Sequence, residues 1–260
     1  HFSISNEESR CHVAIQDEAG RVDVNFANQP LLKRLMLNIG VEERQADLLA
    51  ESIVGWREPD KSSRSGGNES ALRSTDSKPH LFSSVEELLL IPGVSREILY
   101  GNVQRNKDGN ATLQRGLADF VTVYSEKAQI NLNYAEPEVI AALPGVAREA
   151  AEAIVRERAE ESLSSGRVAQ QIASLIPGEA ASLTTTEPSK VYSLVATGFL
   201  KNSKLRTSIR VVVKLDGNLK WGHSKLIWYD EYWPSARILS WTKAMPASQD
   251  GAEVGLNPRS

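Results

Sequence analysis

The residue types that most often carry out chemistry are few in this sequence and lie far apart. Cys11 and His12 are adjacent, and adjacent side chains of a β-strand point to opposite faces, so these two cannot form a nucleophile and base pair. His80 and His223 have no Asp or Glu at the spacing of metal ligands. The sequence contains no His-Glu-x-x-His, Gly-x-Ser-x-Gly or Walker motif. These observations predict no catalytic residues, no cofactor and a protein that is not an enzyme.

Two short turns carry the oxygen atoms that calcium prefers as ligands. Asn106, Asp108 and Asn110 alternate along one turn, and Asp216 and Asn218 flank a glycine in the other. Both turns lack the distal glutamate of an EF-hand loop, and clusters of Asn, Asp and Gly form turns without a metal. The sequence therefore favours plain turns, with these five residues as weak calcium candidates and no other metal site.

Length and composition favour a globular protein with a substantial core. The chain has 260 residues, of which 41% are hydrophobic and 24% charged, a balance typical of folded soluble domains. Its one cysteine excludes an intramolecular disulfide and a cysteine-ligated zinc site. The apolar stretch at residues 88–94 is far shorter than the roughly 20 residues of a membrane span. Since the chain starts at His1 without a signal pattern, we expect a missing N-terminal piece that contains any membrane anchor.

The first part of the sequence predicts short strands followed by helices. Residues 12–26 alternate apolar and polar side chains around a turn at 17–20, which predicts a hairpin or two short strands. Pro30 and Gly40 stand where a helix begins and ends. Apolar residues then recur at spacings of three and four over residues 46–56, which predicts a second helix.

The next segment predicts a loop and another helix. Residues 61–79 are rich in Ser, Gly, Asn and charge, so we expect a long exposed loop. Ser84, with Glu87 three residues later, has the pattern of a capping box, which satisfies free amides at a helix start.

An internal repeat recurs at an offset of 52 residues. Residues 91–97 (Ile-Pro-Gly-Val-Ser-Arg-Glu) resemble residues 143–149 (Leu-Pro-Gly-Val-Ala-Arg-Glu), and residues 175–178 (Leu-Ile-Pro-Gly) form a third, shorter copy. In each copy Pro-Gly interrupts a short helix, and in the first two copies another helix follows. The repeat predicts helical hairpins in two small lobes, at about 27–118 and 130–187.

From Lys190 onward, strand-forming residues replace the helical pattern. The expected strands of an antiparallel sheet are residues 191–200, 205–215 and 219–229, with a further strand at 237–241. A tight hairpin turn is predicted at Asp216-Gly217-Asn218. The tail after Met245 has the composition of a disordered end.

Charge is divided unevenly along the chain. Residues 1–187 carry 19 Lys and Arg against 28 Asp and Glu, whereas residues 188–243 carry 10 against 3, so the two parts have net charges of -9 and +7. Such a division often means that two layers complement each other or that one of them docks on a partner of opposite charge.

One hairpin resembles a DNA-binding unit. Residues 130–135, followed by the second Pro-Gly copy, are similar to a helix-hairpin-helix, in which glycine amides at a helix start bind a phosphate. The second glycine is missing: Ala147 stands in its place, and Ser95 does so in the other copy. Residues 130–187 hold four Arg and no Lys against nine Glu, which disfavours a duplex. We therefore expect no nucleic acid partner.

Six segments follow one another in an ordered set. They are residues 17–25 (Asp-Glu-Ala-Gly-Arg-Val-Asp-Val-Asn), 45–47 (Gln-Ala-Asp), 56–60 (Trp-Arg-Glu-Pro-Asp), 82–94 (Phe-Ser-Ser-Val-Glu-Glu-Leu-Leu-Leu-Ile-Pro-Gly-Val), 120–125 (Phe-Val-Thr-Val-Tyr-Ser) and 130–135 (Ile-Asn-Leu-Asn-Tyr-Ala). In this order they resemble the minor pseudopilin K proteins of type II secretion systems (general secretion pathway protein K), with Asp23 in place of the usual Asn. The resemblance covers about residues 12–243.

The resemblance implies an α+β fold, in which a type IV pilin-like antiparallel sheet carries a large inserted helical domain made of two SAM-like, helix-hairpin-helix-like lobes. Residues 1–26 and 188–243 would form the β framework. Residues 27–187 would form the inserted helical domain, and residues 244–260 a flexible tail.

The resemblance also implies a function. Such a protein caps the tip of the type II secretion pseudopilus and acts in its assembly and in protein export across the outer membrane. Its partners would be minor pseudopilins I and J, and indirectly H and the major pseudopilin. It would lie in the periplasm and meet the inner membrane only through the missing N-terminal helix, and some members of the family bind calcium. A helix-hairpin-helix DNA binder and an unrecognised enzyme are the alternatives.

Overall fold

The computed structural model describes residues 2–6, 8–57, 80–105, 111–160, 172, 174–201, 206–216 and 223–229. The strands are β1 (Phe2–Ser5), β2 (Ser9–Asp17), β3 (Val22–Asp23), β4 (Gly101–Arg105), β5 (Ala111–Arg115), β6 (Val121–Thr122), β7 (Ile130–Asn131), β8 (Thr184–Thr185), β9 (Val191–Leu200), β10 (Arg206–Leu215) and β11 (His223–Tyr229). The α-helices are α1 (Gln29–Asn38), α2 (Glu43–Arg57), α3 (Arg96–Tyr100), α4 (Pro137–Ile140), α5 (Arg148–Glu160) and α6 (Gly178–Ala181). Short 3-10 segments occupy Glu18–Gly20, Val85–Leu90 and Leu117–Asp119. The predicted loop at 61–79, the strand at 237–241 and the tail at 244–260 lie outside the described residues.

Five strands form one antiparallel sheet in the order β1-β2-β9-β10-β11. This confirms the predicted combination of helices with an antiparallel sheet. β9 has the predicted bounds, and β10 begins one residue later than expected, at Arg206. The alternation of apolar and polar residues does not find β1, because its four residues are too few to show a period.

The predicted tight turn at Asp216-Gly217-Asn218 lies, apart from Asp216, outside the described residues. The structure describes β11 from His223, within the predicted strand at 219–229. Leu215 pairs with His223 and Val211 with Trp228, so β11 runs antiparallel to β10 at the edge of the sheet.

Of the two alternatives predicted for residues 12–26, the structure has two separate strands and not a hairpin. After β2 the segment Glu18–Gly20 turns inward, and β3 then pairs in parallel with β6 instead of returning along β2. The turn is buried, and a Cβ on Gly20 would lie 2.7 Å from the carbonyl carbon of Tyr134. A side chain at this position would separate the two segments.

The chain leaves the five-stranded sheet after β2 and returns to it at β9. The residues between them form the helices and three two-stranded sheets. β3 and β6 are parallel, as are β7 and β8, whereas β4 and β5 form an antiparallel hairpin. Each parallel pair joins the start and the end of a helical stretch, and we call the helices and these small sheets the helical layer.

Helix α1 has the start and stop signals that the sequence predicts. The Asn28 side chain accepts a hydrogen bond from the Leu31 amide at 3.0 Å, and Pro30 lies in the first turn. Gly40 takes a φ of +91°, a conformation that side chains disfavour, and so ends the helical stretch.

Helix α2 buries its apolar stripe only as far as Ile53. Trp56, the last position of the predicted stripe, is 38% exposed and stacks on Phe82 with ring centroids 6.1 Å apart. Arg57 is buried in its place, because its guanidinium donates hydrogen bonds to the carbonyls of Val24 and Ala27.

The capping box predicted at Ser84 is formed only in part. The Ser84 side chain makes no capping hydrogen bond, because the Glu87 amide donates to the Ser84 carbonyl in the tighter 3-10 turn. The Glu87 carboxylate instead accepts a hydrogen bond from the Ser83 amide at 3.0 Å.

The Pro-Gly repeats end helices as predicted. Gly93 and Gly145 have φ values of +92° and +69°. In the third copy Gly178 begins α6, so a helix follows Pro-Gly there as well. A Cβ on Gly145 would lie 2.9 Å from Cγ of Pro177, so the second and third copies pack on each other.

The hydrophobic core lies in the helical layer. Every residue of the main buried cluster falls between Val22 and Ala180. The strands of the large sheet add only Ala14, Val191 and Val212 to the buried apolar residues among those described. In the described part of the chain, no helix is long and apolar enough to cross a membrane.

Candidate partner-binding surface

Cys11 and His12, the two adjacent residues considered as a catalytic pair, lie on opposite faces of the sheet. Cys11 is opposite Gly198, whereas His12 is opposite Thr197 and packs edge-on against the ring of Phe199 at 5.2 Å. Burial, and after it the charge of Arg10, lowers the pKa of His12. The expectation that these two residues do not act together is met by their geometry.

Most of the candidate calcium ligands lie outside the described residues. Asn106, Asp108, Asn110 and Asn218 lie outside the described residues, and Asp216 directly follows β10. Among the residues that are described, no group of three or more His, Cys, Asp or Glu side chains is placed to hold a metal ion. Calcium binding at these five residues stays a prediction.

The helix start after the first Pro-Gly copy is capped from within the chain. The Ser95 hydroxyl accepts a hydrogen bond from the Ile98 amide at 3.2 Å, so one of the amides that a phosphate would need is already bound. After the second copy, Arg148 pairs with Glu152 at 3.2 Å and lies 3.7 Å from Glu138. These contacts already occupy the Ile98 amide and the Arg148 side chain, two groups that a phosphate would otherwise bind.

A buried ionic cluster joins the large sheet to the helical layer. The Glu18 carboxylate accepts hydrogen bonds from Arg21 at 3.0 Å, from Arg210 at 3.3 Å and from the Thr122 hydroxyl at 2.5 Å. Desolvation opposes ionisation of Glu18, but Arg21 and Arg210, with hydrogen bonds from Thr122 and Ser193, hold its pKa below the usual value. Glu18 is therefore a charged group with no exposure to solvent.

Sequence reasoning places Glu18 in a turn and gives Arg210 no role. The available signal was a charged residue, Arg210, between the apolar residues Ile209 and Val211 of a strand, because a buried charge needs a partner of opposite sign. Asp17 makes a second joint beside this cluster. Its carboxylate accepts hydrogen bonds from the Ala19 and Ser189 amides, both at 2.8 Å.

The two faces of the large sheet differ in burial. The face that carries Arg210 contains the buried positions of the strand interiors: Ala14, Val191, Ser193, Thr197, Ser208, Arg210 and Val212. The alternation of a strand puts the other residues on the opposite face. These are mostly apolar: Ile4, Cys11, Val13, Ile15, Leu194, Ala196, Leu200, Ile209, Val211, Val213 and Leu215.

No side chain of this second set is buried, and we call it the open face. Ile4, Ile15, Leu200 and Leu215 are 46–52% exposed. Soluble proteins rarely expose a contiguous apolar surface across several strands unless another molecule or segment covers it. The open face therefore has the character of a binding surface.

A groove of about 400 Å³ lies at one end of the open face. Gly198 forms its floor, because the nearest heavy atom to a Cβ there would be Cγ2 of Thr207 at 3.8 Å, which leaves open space above the backbone. Ile4, Cys11 and Leu200 line the groove. Its size and apolar lining suit a protruding apolar side chain of a partner better than a polar substrate.

Comparison with known proteins finds a matching family model and a solved structure of similar fold. Residues 13–101 match the family model of type II secretion system protein K. The chain is similar to a chain in the crystal structure of the GspK-GspI-GspJ complex from the type 2 secretion system of enterotoxigenic Escherichia coli, with a TM-score of 0.55 and 15% identity. The match covers 88% of this chain and 82% of that chain. A search of curated proteins gives no match.

Proposed function

We propose that this chain is a minor pseudopilin of the type II secretion system protein K family, whose model matches residues 13–101, and that it caps the tip of the type II secretion pseudopilus. In that role it acts in pseudopilus assembly and in protein export across the outer membrane. It is a structural subunit and not an enzyme. Its place is the periplasm, with the full-length protein held in the inner membrane by an N-terminal helix.

The proposed architecture is a pilin-like β framework at residues 1–26 and 188–243 with a helical domain inserted at 27–187. The path of the chain supports it, since β2 and β9 are neighbours in the sheet although the helical layer lies between them in sequence. The strand β3, at Val22–Asp23, belongs to the helical layer through its pairing with β6. We therefore place the start of the insertion near Glu18.

The proposed partners are minor pseudopilins I and J, with H and the major pseudopilin as indirect partners. The observation that carries this proposal is the open face. It is apolar and unburied, whereas the opposite face is tied to the helical layer through Glu18. A subunit with this arrangement can present its sheet to neighbours while the helical layer projects away from them.

Assembly with purified soluble domains of the I and J homologues tests the proposal. The mass of the mixture, measured by light scattering, should be that of a complex containing all three chains. The double variant Ile15→Asp with Leu215→Asp places two charges on exposed positions of the open face. We expect it to lose the complex, because a buried unpaired charge opposes association.

The matched control is Leu48→Asp with Leu90→Asp, which changes two exposed apolar residues of the helical layer. We expect this control to assemble like the wild type. If the control variant loses the complex and the open-face variant retains it, the partner surface lies on the helical layer and the proposed orientation is wrong.

A further inference from the structure

A row of basic and aromatic side chains crosses the large sheet on the face opposite the open face. Arg10, Phe199 and Arg206 are Cα partners on β2, β9 and β10, so they share one face side by side. The Arg206 guanidinium carbon lies 5.2 Å from the centroid of the Phe199 ring, within the range of a cation–π contact. Lys201, which is exposed, directly follows β9. We call these four residues the basic row.

The charges of the basic row have no counter-charge in the described part of the chain. No carboxylate described there comes within 4.0 Å of Arg10, Lys201 or Arg206, although Glu18 pairs with Arg210 further along the same face. Arg10 is exposed, and Phe199 and Arg206 are half-buried. The row is therefore an accessible cationic strip with an aromatic centre.

We propose that the basic row is a docking site for an acidic segment of a neighbouring protein subunit. The carboxylates of that segment would pair with Arg10 and Arg206, and its other atoms would lie on the Phe199 ring. A guanidinium stacked on an aromatic ring keeps its donors directed outward, which suits paired hydrogen bonds to a carboxylate. The row spans three strands, so the segment needs two carboxylates within about 10 Å of each other.

An acidic protein segment fits the charge distribution better than a long polyanion does. The basic row lies in the part of the chain with a net charge of +7, but residues 1–187 carry -9. A nucleic acid or an anionic membrane surface would extend beyond the row and meet the field of that acidic part. A short segment can occupy the row alone. The proposed function supplies only the identity of the neighbour, which would be one of the other minor pseudopilins.

The first experiment tests the basic row independently of any partner. Binding of a fluorescein-labelled oligoglutamate peptide to the full chain is measured by anisotropy for the wild type and for Arg10→Glu with Arg206→Glu. We expect the double variant to bind at least about tenfold more weakly, because the reversed charges repel the carboxylates. Binding to the wild type should weaken as salt is raised.

The matched control is Arg44→Glu with Arg96→Glu, which makes the same change in net charge at two exposed arginines of the helical layer. We expect it to bind the peptide like the wild type. An equal loss in both double variants would show that net charge alone governs binding and would overturn the proposal. Tighter binding of duplex DNA or of phosphatidylglycerol vesicles than of the peptide would overturn it as well.

A further variant tests whether the contact between Arg206 and the Phe199 ring contributes to peptide binding. Arg206→Lys keeps the charge but loses the planar guanidinium, so we expect peptide binding between those of the wild type and the charge-reversed variant. Peptide binding equal to the wild type would show that only the charge matters and would remove Phe199 from the proposed site.

The second experiment measures assembly of the same variants with soluble I and J homologues. We expect Arg10→Glu with Arg206→Glu to assemble at least about tenfold more weakly than the Arg44 and Arg96 control. Normal assembly of that variant would overturn the assignment of the basic row to a neighbouring subunit and leave the proposed function intact. Failure of the wild type to assemble would overturn the proposed function, and the peptide experiment would still decide whether the row binds acidic segments.

Discussion

The helical layer builds the same strand and turn twice, at residues 22–27 (Val-Asp-Val-Asn-Phe-Ala) and 130–135 (Ile-Asn-Leu-Asn-Tyr-Ala). In the first turn the Val24 amide donates to the Thr122 carbonyl at 3.0 Å, and in the second the Leu132 amide donates to the Thr185 carbonyl at 2.9 Å. Each short strand thus pairs in parallel with a strand that closes its helical stretch. Two distant parts of the chain reach one geometry from similar residues.

An arginine completes each turn. Arg57, at the end of α2, donates to the carbonyls of Val24 and Ala27. Arg158, near the end of α5, donates to the carbonyls of Leu132 and Ala135 at 2.7 and 2.6 Å. These carbonyls have no strand partner in the turn, and burial makes an unpaired carbonyl costly.

The two turns differ at their second residue, which is Asp23 in one and Asn131 in the other. The Asp23 carboxylate accepts hydrogen bonds from the Asn25 amide, the Ser125 hydroxyl and the Glu126 amide at 2.9–3.0 Å. Asn131 accepts from the Asn133 amide at 3.0 Å but donates to the Glu187 carbonyl at 2.7 Å.

The difference shows that the closing strand decides which side chain fits. Where the residues after that strand present donors, an acceptor-only carboxylate is suitable. Where they present a carbonyl, an amide is needed. The same rule accounts for the carboxylate of Asp23 at the second position of the first turn.

The first turn is also tied to the large sheet, and the second is not tied in this way. Thr122 donates to Glu18, which pairs with Arg210 of β10. Glu18→Gln should therefore have the largest effect on stability, lowering the free energy of unfolding by about 3–5 kcal/mol, because two buried guanidinium groups lose their counter-charge. Urea unfolding followed by circular dichroism measures it.

Glu126→Gln is the matched control, since Glu126 also bridges the helical layer and the sheet, through Lys214 at 2.8 Å, but is 65% exposed in its side chain. We expect a loss of less than about 1 kcal/mol there. Equal effects of the two variants would contradict the view that the Glu18 cluster is the main joint.

The pH dependence of stability should distinguish the carboxylates of Glu18 and Asp23. The pKa of Glu18 is below its usual 4.5 in the folded state, so its contribution is present above about pH 4.5 and is lost as the pH falls through the folded pKa. Burial raises the pKa of Asp23 above its usual 3.8, so Asp23 acts in the opposite sense. The difference between the wild type and Glu18→Gln cancels the Asp23 contribution. That difference should shrink in acid, and a constant difference would refute the assignment.

Removing the two arginines compares the turns directly. Arg57→Met should lower the free energy of unfolding by about 3 kcal/mol, since two buried hydrogen bonds from a charged donor are lost. Arg158→Met should cost about 2 kcal/mol, because Arg158 is only half-buried and solvent can replace part of what is lost. Arg44→Met, on the exposed side of α2, is the control. A loss for Arg57→Met no larger than for this control would mean that water satisfies the turn carbonyls.

Exchanging the second residues of the turns tests the donor rule. Asp23→Asn turns an amide group toward N–H donors, and Asn131→Asp turns a carboxylate toward the Glu187 carbonyl. We expect each to cost about 2 kcal/mol, with Asn131→Asp the larger because it also buries a charge. Thermal unfolding is sufficient to rank the two variants. A stabilising Asp23→Asn would contradict the donor rule.

Sequence reasoning predicts the long elements well, because their periods are long enough to read. Examples are the bounds of β9 and the start of α1, which is predicted at Pro30 and observed at Gln29. It misses the parallel pairs, because strands of two residues separated by tens of residues have no local period. The sequence repeat also treats Gly93 and Gly145 as equivalent positions. In the structure the equivalent of Gly145, which precedes α5, is Gly40, which precedes α2.

The binding surface was predictable only in part. The alternation in residues 191–200 and 205–215 divides the strands into two faces, but nothing local says which face the helical layer covers. The covered face is decided by Glu18, whose partner Arg210 lies 192 residues later in the sequence. A charged pair formed at such a distance cannot be read from spacing.

The smallest expected effect concerns the threonines of the closing strands. In each turn the threonine hydroxyl accepts a hydrogen bond from the amide two residues later, Tyr124 at 3.2 Å and Glu187 at 3.1 Å. Thr122 alone also donates to Glu18, so Thr122→Val should cost about 2 kcal/mol and Thr185→Val less than about 1 kcal/mol. Valine keeps the shape in both cases, so the comparison isolates the hydroxyl.

Combined with Glu18→Gln, the Thr122→Val loss should shrink, because the two residues share one contact, while the Thr185→Val loss should simply add. Additive losses for both threonines would show that the contact between Thr122 and Glu18 contributes nothing, and that the two turns are energetically alike.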